Sequence, residues 1–212
     1  MSALLSVICT KESRECMEKY VIGEDQIKEL FSKTGAILSG HFVLSSGRHS
    51  DTYVQCARVF EDPETTMQLA SALAERISPK KVDLVAAPAV GGIILGFAVA
   101  HILGVRFIFS EREAGVMTFR RSFQVPEEAR VLVVEDVVTT GGSAAEVETL
   151  IRACGGSPIG VASLIDRGGS KRFMAESYSL LQLDVESWEA DSCSLCGAGE
   201  PITSPGSRRI AD

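Results

Sequence analysis

Short buried strands alternate with helices between residues 63 and 165, and this alternation restricts the possible folds more than any other feature of the sequence. Runs of aliphatic residues predict strands at 82–86, 105–109, 130–134 and 159–165. Helical segments precede or separate these runs, and one of them begins at Pro63, a favoured first helical residue. Such an alternation predicts an α/β fold, with a parallel sheet flanked by helices.

The segments outside this alternation predict further elements. Residues 24–33 carry apolar residues at helical spacing, and residues 40–56 read as two short strands around a Ser-Ser-Gly-Arg turn. Residues 110–126 are polar and rich in Arg, which indicates a long loop or an exposed hairpin. We expect a last strand at 179–183.

The length of 212 residues is sufficient for one α/β domain with a small appendage. We therefore expect three parts: an N-terminal helix and strand pair at 1–60, the α/β core at 61–185, and a polar tail at 186–212. The tail is polar enough that we expect poor order past Gly199.

Charge and hydropathy exclude several classes of partner. The net charge of −7 argues against a nucleic acid or an anionic membrane as partner. The 22 residues from Leu84 to Val105 contain no Lys, Arg, Asp or Glu, a length that could span a bilayer. Pro88, Gly91 and Gly92 interrupt that run, so a buried strand, a turn and a buried helix explain it better.

Only two of the six cysteines, Cys193 and Cys196, show a recognisable spacing, that of a Cys-x-x-Cys pair. The absence of a disulfide pattern predicts a reducing cytoplasm. No second pair follows, and His41, His49 and His101 are distant in sequence, so we expect no four-ligand zinc site within one chain and assign no metal ligand. Two pairs pooled in a dimer, or a redox pair, remain alternatives.

The stretch VLVVEDVVTTGGSAAEV, at 131–147, predicts an anion site. Its strand brings Glu135 and Asp136 to the carboxyl edge of the sheet, where ligands of parallel sheets bind. The small and hydroxylic residues at 139–143 then offer backbone N–H groups and hydroxyls at the start of a helix, where Ser143 and Glu146 suggest a capping box.

The two acids would repel a phosphate placed on them, but they would bind sugar hydroxyls or Mg²⁺. No Lys follows the glycines, so the loop is not a Walker A motif. The stretch therefore calls for a phosphate with a diol or a metal beside it, as in ribose 5-phosphate. The alternative is a strand, an acidic turn and a capped helix that serve only as scaffold.

The same stretch resembles the phosphoribosyl pyrophosphate (PRPP) signature of type I phosphoribosyltransferases. The resemblance implies that Glu135 and Asp136 contact the ribose hydroxyls and take part in catalysis. It implies that the loop holds the 5-phosphate, and the PRPP-binding positions of this stretch are Glu135, Asp136, Val137, Val138, Thr139, Thr140, Gly141, Gly142 and Ser143. Residues 86–96, AAPAVGGIILG, resemble the pyrophosphate loop of the family, and the implied contacts there are Ala89, Val90, Gly91 and Gly92.

Two further segments resemble the orotate-specific members of the family. FVLSSGRHSDTYV, at 42–54, is similar to their N-terminal hood, in which an aromatic pair packs on orotate; Tyr53 and Val54 occupy those positions. LIDRGGSKR, at 164–172, is similar to the segment that supplies an orotate-binding arginine, here Arg167. Thr139 completes the implied orotate-binding set.

This sequence departs from the orotate-specific pattern in three places. Val54 replaces an aromatic residue, and Ser45 stands where many members have a PRPP-contacting Lys. Many members have a loop with two Lys and a His. In an ungapped alignment, Arg112 stands at the first Lys position and keeps its charge, and we assign it to PRPP binding and catalysis. Gly115 and Met117 stand at the positions of the second Lys and the His. Two nearby arginines, Arg120 and Arg121, are candidates to replace them.

The resemblance implies an enzyme that makes orotidine 5-monophosphate and diphosphate from orotate and PRPP. It implies a small N-terminal hood next to the α/β core. It also implies Mg²⁺ as cofactor and a homodimer. Two other functions remain open from the residues alone: a phosphoribosyltransferase for a different base, and a PRPP-sensing regulatory protein without chemistry.

Overall fold

The computed structural model describes residues 22–44, 46–77 and 81–205. The helices and strands, in chain order, are α1 (Glu24–Lys33), β1 (Ile37–Val43), β2 (His49–Val54), α2 (Pro63–Ile77), β3 (Leu84–Pro88), α3 (Gly92–Leu103), β4 (Arg106–Glu113), β5 (Val116–Phe119), β6 (Arg130–Val138), α4 (Gly142–Ala153), β7 (Ser157–Asp166), β8 (Ser177–Gln182) and α5 (Ser194–Gly197).

Six strands form the main sheet, in the order β5-β4-β3-β6-β7-β8. All neighbours are parallel except β4 and β5, which form an antiparallel hairpin at one edge. The predicted parallel α/β sheet is confirmed. Of the two possibilities for residues 110–126, the hairpin is correct, because β4 continues to Glu113 and turns at Ala114 and Gly115.

Helices cover both faces of this sheet, and successive strand residues pack against opposite layers, as the two-residue period of a strand requires. Leu132 and Val134 of β6 pack in the cluster that includes α1, α2 and α3. Val131 and Val133 pack in the cluster that includes α4. Burial on both faces explains why β6 reads as a continuous aliphatic run.

β1 and β2 form a separate antiparallel pair before the core, which we call the hood. The tail runs along it: the N–H of His49 donates to the carbonyl of Trp188 at 2.8 Å, and the N–H of Val43 donates to the carbonyl of Thr203 at 3.0 Å. The expectation of poor order past Gly199 is therefore wrong for residues 200–205, because β1 provides backbone partners for this polar segment. Among the described residues, no helix has the length and apolar character needed to cross a membrane.

Candidate active site

The acidic pair lies on the last part of β6, which extends to Val138 rather than ending at Val134. β7 pairs with β6 through this region, so Glu135 and Asp136 are held in extended backbone at the carboxyl edge of the sheet. α4 then begins at Gly142, with Gly141 as its N-cap in the left-handed region at φ 71°.

The predicted capping box at this helix is wrong. The N-cap is Gly141, and it makes no side-chain capping bond. Glu146 instead accepts a hydrogen bond from Arg112 of β4 at 2.8 Å. Glu146, the predicted acid of the capping box, therefore links α4 to the hairpin of β4 and β5.

The predicted phosphate loop, residues 139–143, packs against the turn that follows β7. A Cβ on Gly141 would lie 2.3 Å from the carbonyl oxygen of Gly169, and a Cβ on Gly169 would lie 2.6 Å from the nitrogen of Gly141. The carboxylate of Asp166 accepts the N–H groups of Gly168 and Gly169, at 2.9 and 3.1 Å. Two backbones this close leave no space for a side chain at Gly141 or Gly169.

The second predicted loop meets the acidic pair. A Cβ on Gly91 would lie 2.7 Å from Oδ1 of Asp136, and one on Gly92 would lie 2.7 Å from the carbonyl oxygen of Val134. The peptide bond between Ala89 and Val90 is cis. Residues about 45 positions apart in the sequence thus form one concave surface at the carboxyl ends of β3 and β6.

Burial and the neighbouring Asp136 carboxylate raise the pKa of Glu135 from its ordinary 4.5 to about 8, although the N–H of Ala144 donates to it. Burial also raises the pKa of Asp136, against the opposing effect of backbone N–H groups. Within residues 22–44, 46–77 and 81–205, no cationic side chain forms an ion pair with either acid. Two such partly buried acids favour a ligand that supplies hydroxyl donors or a cation.

We expect Glu135→Gln to stabilise the ligand-free protein at alkaline pH. The raised pKa means that the folded state holds a proton that the unfolded state has lost between pH 4.5 and about 8, so stability falls as pH rises through that window. Gln avoids this loss and can still accept the Ala144 N–H. The free energy of unfolding of the variant should exceed that of the wild type by about 2 kcal/mol at pH 8.5, or roughly 4–8 °C in Tm, and by almost nothing at pH 4.5.

Thermal melts at pH 4.5, 7 and 8.5 measure this difference. Glu127→Gln, at an exposed position between β5 and β6, is the matched control and should show no pH-dependent gain in Tm. If the Tm of Glu135→Gln at pH 8.5 were equal to or lower than that of the wild type, the acidic pair would not destabilise the folded protein.

The predicted base-binding residues converge from two elements. Tyr53 of β2 and Arg167, just after β7, interact electrostatically: burial raises the pKa of Tyr53, and Arg167 opposes the rise. Burial lowers the pKa of Arg167, and Tyr53 opposes that change. The N–H of Arg167 donates to the carbonyl of Val138 at 2.8 Å, which fixes the arginine backbone beside the phosphate loop.

The two hood positions face different surroundings. The ring of Tyr53 contacts that of Phe42, with centroids 5.6 Å apart, whereas Val54 packs against the hydrophobic core. Adjacent side chains on a strand point to opposite faces, so Tyr53, and not Val54, lies toward Arg167. Ser45 lies outside the described residues.

Each of the three candidate loop arginines is paired with a glutamate on the surface. Arg112 contacts Glu146 at 2.8 Å, Arg120 contacts Glu113 at 3.7 Å, and Arg121 contacts Glu111 at 3.0 Å. Arg121 also lies over the ring of Phe109, 5.6 Å from its centroid. Met117, at the position of the missing His, is 7% exposed and belongs to the core.

Asp166 is a residue of the candidate site that the motifs did not reveal. It is buried and positions the turn against which the phosphate loop packs. A signal for it exists in the sequence Asp-Arg-Gly-Gly, because an Asp two residues before a Gly commonly bonds the backbone N–H groups of its own turn.

Comparison with known proteins agrees with this geometry. Residues 57–192 match the family model described as a phosphoribosyl transferase domain. The chain is 49% identical over 185 residues to the orotate phosphoribosyltransferase of Thermotoga maritima, with 87% of this chain and 99% of that protein covered. It is 46% identical over 190 residues to the orotate phosphoribosyltransferase of Desulforamulus reducens, with 89% and 100% covered.

Solved structures give the same result. The crystal structure of orotate phosphoribosyltransferase from Aeropyrum pernix is similar, with a TM-score of 0.65, 27% identity, and 74% of this chain and 93% of that chain covered. Adenine phosphoribosyltransferase from Thermoanaerobacter pseudethanolicus shares the fold, with a TM-score of 0.57 at 22% identity over 62% of this chain and 88% of that chain. The chain therefore belongs to the phosphoribosyltransferase family, and within it to the orotate phosphoribosyltransferases.

Proposed function

We propose that this protein transfers the ribose 5-phosphate of PRPP to N1 of orotate, which gives orotidine 5-monophosphate and diphosphate, a step in making pyrimidine nucleotides. One observation carries the choice of base: Arg167 and Tyr53 lie together beside the loop and acids that fit PRPP. A guanidinium can bind the carboxylate of orotate through two parallel hydrogen bonds. The ring of Tyr53 can pack on the flat pyrimidine.

The three parts of PRPP fit three parts of the site. The 5-phosphate would lie on the loop at 139–143, at the positive end of α4. The ribose hydroxyls would donate to Glu135 and Asp136. The diphosphate would lie along residues 89–92, where Gly91 and Gly92 allow the backbone to approach it.

Mg²⁺ fits the same site as part of the substrate, because carboxylate and phosphate oxygens are the ligands that it prefers. When bound, it neutralises charge on the diphosphate. Glu135 and Asp136 are the residues placed to hold it, directly or through the ribose hydroxyls. A cation or a diol there would also favour the ionised form of Glu135, whose pKa is raised to about 8 without one.

In the reaction, the bond between C1 of the ribose and the diphosphate breaks, and its electron pair leaves with the diphosphate. N1 of orotate supplies the pair for the new bond on the opposite face of the ribose, and the N1 proton is released. Positive charge develops on the ribose, next to the acidic pair, which stabilises it. Arg167 and Tyr53 contribute by orienting the base, and the hood contributes by excluding water.

The loop arginines are proposed to stabilise the departing diphosphate. Exposed ion pairs contribute about 0–1 kcal/mol each, so exchanging a glutamate for the diphosphate costs little. We expect Arg112→Ala and Arg120→Ala to lower kcat by about 10–100-fold. Arg121→Ala should have the smallest effect, because Arg121 makes two bonds to Glu111 and lies over Phe109.

Steady-state kinetics of the three variants measure this order. Arg106→Ala is the matched control, because Arg106 is exposed at the opposite end of β4. Unchanged turnover in all three variants would remove this loop from the mechanism.

We propose a homodimer in the cytoplasm as the working form. Support for the dimer comes from a cluster of exposed apolar side chains, Val90, Ile94 and Phe97, which are 82%, 50% and 65% exposed. They lie on and just before α3, next to the diphosphate loop, and a patch of this kind commonly marks a protein interface.

The test of the proposed function is diphosphate release from PRPP and Mg²⁺ with orotate, adenine, hypoxanthine or no base. We expect release with orotate alone. Release with a purine would keep the PRPP site but overturn the role of Arg167. PRPP binding without release for any base would indicate a PRPP sensor rather than an enzyme.

A further inference from the structure

Four side chains that can bind a metal converge where the tail crosses the hood, and none of them belongs to the residues assigned to PRPP or orotate. They are His41 of β1, His49 of β2, and the pair Cys193 and Cys196 around α5. Their ligand atoms all lie within 4.8 Å of one another. His41, His49 and Cys193 are buried, with 2%, 6% and 6% of their surface exposed.

Four of the six distances among these atoms lie near the edges of a tetrahedron around zinc, and all six are 4.8 Å or less. Nε2 of His41 lies 3.0 Å from Nδ1 of His49, and Sγ of Cys196 lies 3.3 Å from Nδ1 of His49. Sγ of Cys193 and Sγ of Cys196 lie 3.5 and 3.7 Å from Nε2 of His41. Zinc bonds of ~2.0–2.1 Å to nitrogen and ~2.3 Å to sulfur give edges of roughly 3.3–3.8 Å.

A backbone carbonyl fixes the state of one ligand. Nδ1 of His41 lies 2.9 Å from the carbonyl oxygen of Glu200, which can only accept, so Nδ1 carries the proton. In the neutral ring Nε2 then has a free lone pair, and this is the atom that faces the other three ligands. A zinc-binding histidine typically has such a partner on its second nitrogen.

The chemistry of the set selects the metal. Two thiols and two imidazoles suit zinc, whereas Mg²⁺ and Ca²⁺ prefer oxygen ligands. Binding releases the two thiol protons to solvent, and Zn²⁺ with two thiolates and two neutral imidazoles carries no net charge. A neutral complex is compatible with burial, which an isolated ion is not.

We propose that His41, His49, Cys193 and Cys196 of a single chain form a structural zinc site that fastens the tail to the hood. Four protein ligands fill the tetrahedron, so the site leaves no position for a substrate. The fold removes the earlier objection to an intrachain site, because β1 and β2 bring together with the Cys pair two histidines that lie about 150 residues before it in sequence.

The primary test is the metal content of the purified full-length protein, measured by elemental analysis together with the colour of a Co²⁺-substituted sample. We expect about one zinc per chain and the intense absorption of tetrahedral Co²⁺ with thiolate ligands. Cys196→Ser and His49→Gln should lose the metal. Cys154→Ser and His101→Gln, which change an exposed Cys and an exposed His elsewhere, are the matched controls and should retain it.

Three results would overturn the proposal. About half a zinc per chain would indicate ligands pooled between two copies, a Cys193–Cys196 disulfide without metal would indicate a redox pair, and iron or copper in place of zinc would contradict the choice of metal. The wild-type stoichiometry and the Co²⁺ spectrum decide the matter even if a ligand variant fails to fold.

A second readout concerns the tail. Chelation of the metal should make residues 186–205 susceptible to limited proteolysis, and added Zn²⁺ should restore protection; equal protection in both states would remove the fastening role. His49 and Tyr53 lie on the same strand, so zinc loss should also raise the KM for orotate. That last expectation rests on the proposed function, whereas metal content and proteolysis do not.

Discussion

Replacing Arg167 with Ala is expected to lower kcat/KM for orotate by about 10²–10³-fold, with most of the loss in KM. Arg167 is partly buried, and its backbone N–H is held by the carbonyl of Val138, so its side chain leaves the backbone at a defined point beside the phosphate loop. Removing it leaves the carboxylate of orotate without a partner in a partly dehydrated site, which typically costs about 2–5 kcal/mol. Steady-state kinetics with orotate and PRPP as the varied substrates measure the effect.

Two further variants separate charge from geometry. Arg167→Lys keeps the charge but loses the planar pair of donors, so it should recover only part of the activity. Arg152→Ala, on the exposed side of α4, is the control and should behave as the wild type. If Arg167→Ala raised the KM for orotate and the KM for PRPP by the same factor, Arg167 would support the structure of the phosphate loop and would not specifically bind the base.

The second large effect is expected from Gly169→Ala, which should raise the KM for PRPP by about 100-fold. A Cβ at this position would lie 2.5 Å from the carbonyl oxygen of Thr139 and 2.6 Å from the nitrogen of Gly141. Both atoms belong to the backbone of the phosphate loop and cannot rotate away as a side chain can. The loop must therefore shift, and a displacement of about 1 Å at a site of this kind commonly costs 10²-fold.

Gly23→Ala is the matched control, because a Cβ there meets nothing within 4 Å. Circular dichroism should show that Gly169→Ala is folded, and PRPP binding measured by calorimetry should account for the loss. Unchanged PRPP binding in a folded Gly169→Ala protein would show that the turn after β7 does not determine the shape of the loop.

The sequence predicted the core best where one local pattern determined both the element and its role. The aliphatic run before Glu135 and Asp136 identified β6, since a strand buried on both faces has few alternatives. The same pattern predicted that β6 ends at Val134, because charged residues usually mark the end of a buried strand, whereas β6 extends to Val138. Here β7 continues to pair with β6 as far as Val138, so the strand itself carries both acids into the candidate site.

The errors share one physical cause, which is contact between segments distant in sequence. Glu146 resembled part of a capping box, but its partner is Arg112 of β4. The tail resembled a poorly ordered segment, but Thr203 pairs with β1. The expectation of no zinc site within one chain rests on the distance in sequence between the Cys pair and both His41 and His49, and the folded hood brings these histidines near the pair. Local patterns carry no information about such partners.

The role of Arg167 in binding the base is tested by comparing kcat/KM for orotate with kcat/KM for uracil, which differs from orotate only by lacking the carboxylate. We expect the wild type to prefer orotate by about 10³-fold or more, because the carboxylate is the group that Arg167 binds. We also expect Arg167→Ala to remove most of this preference. Comparable values for the two bases in the wild type would contradict the assignment of the base site to Arg167 and Tyr53.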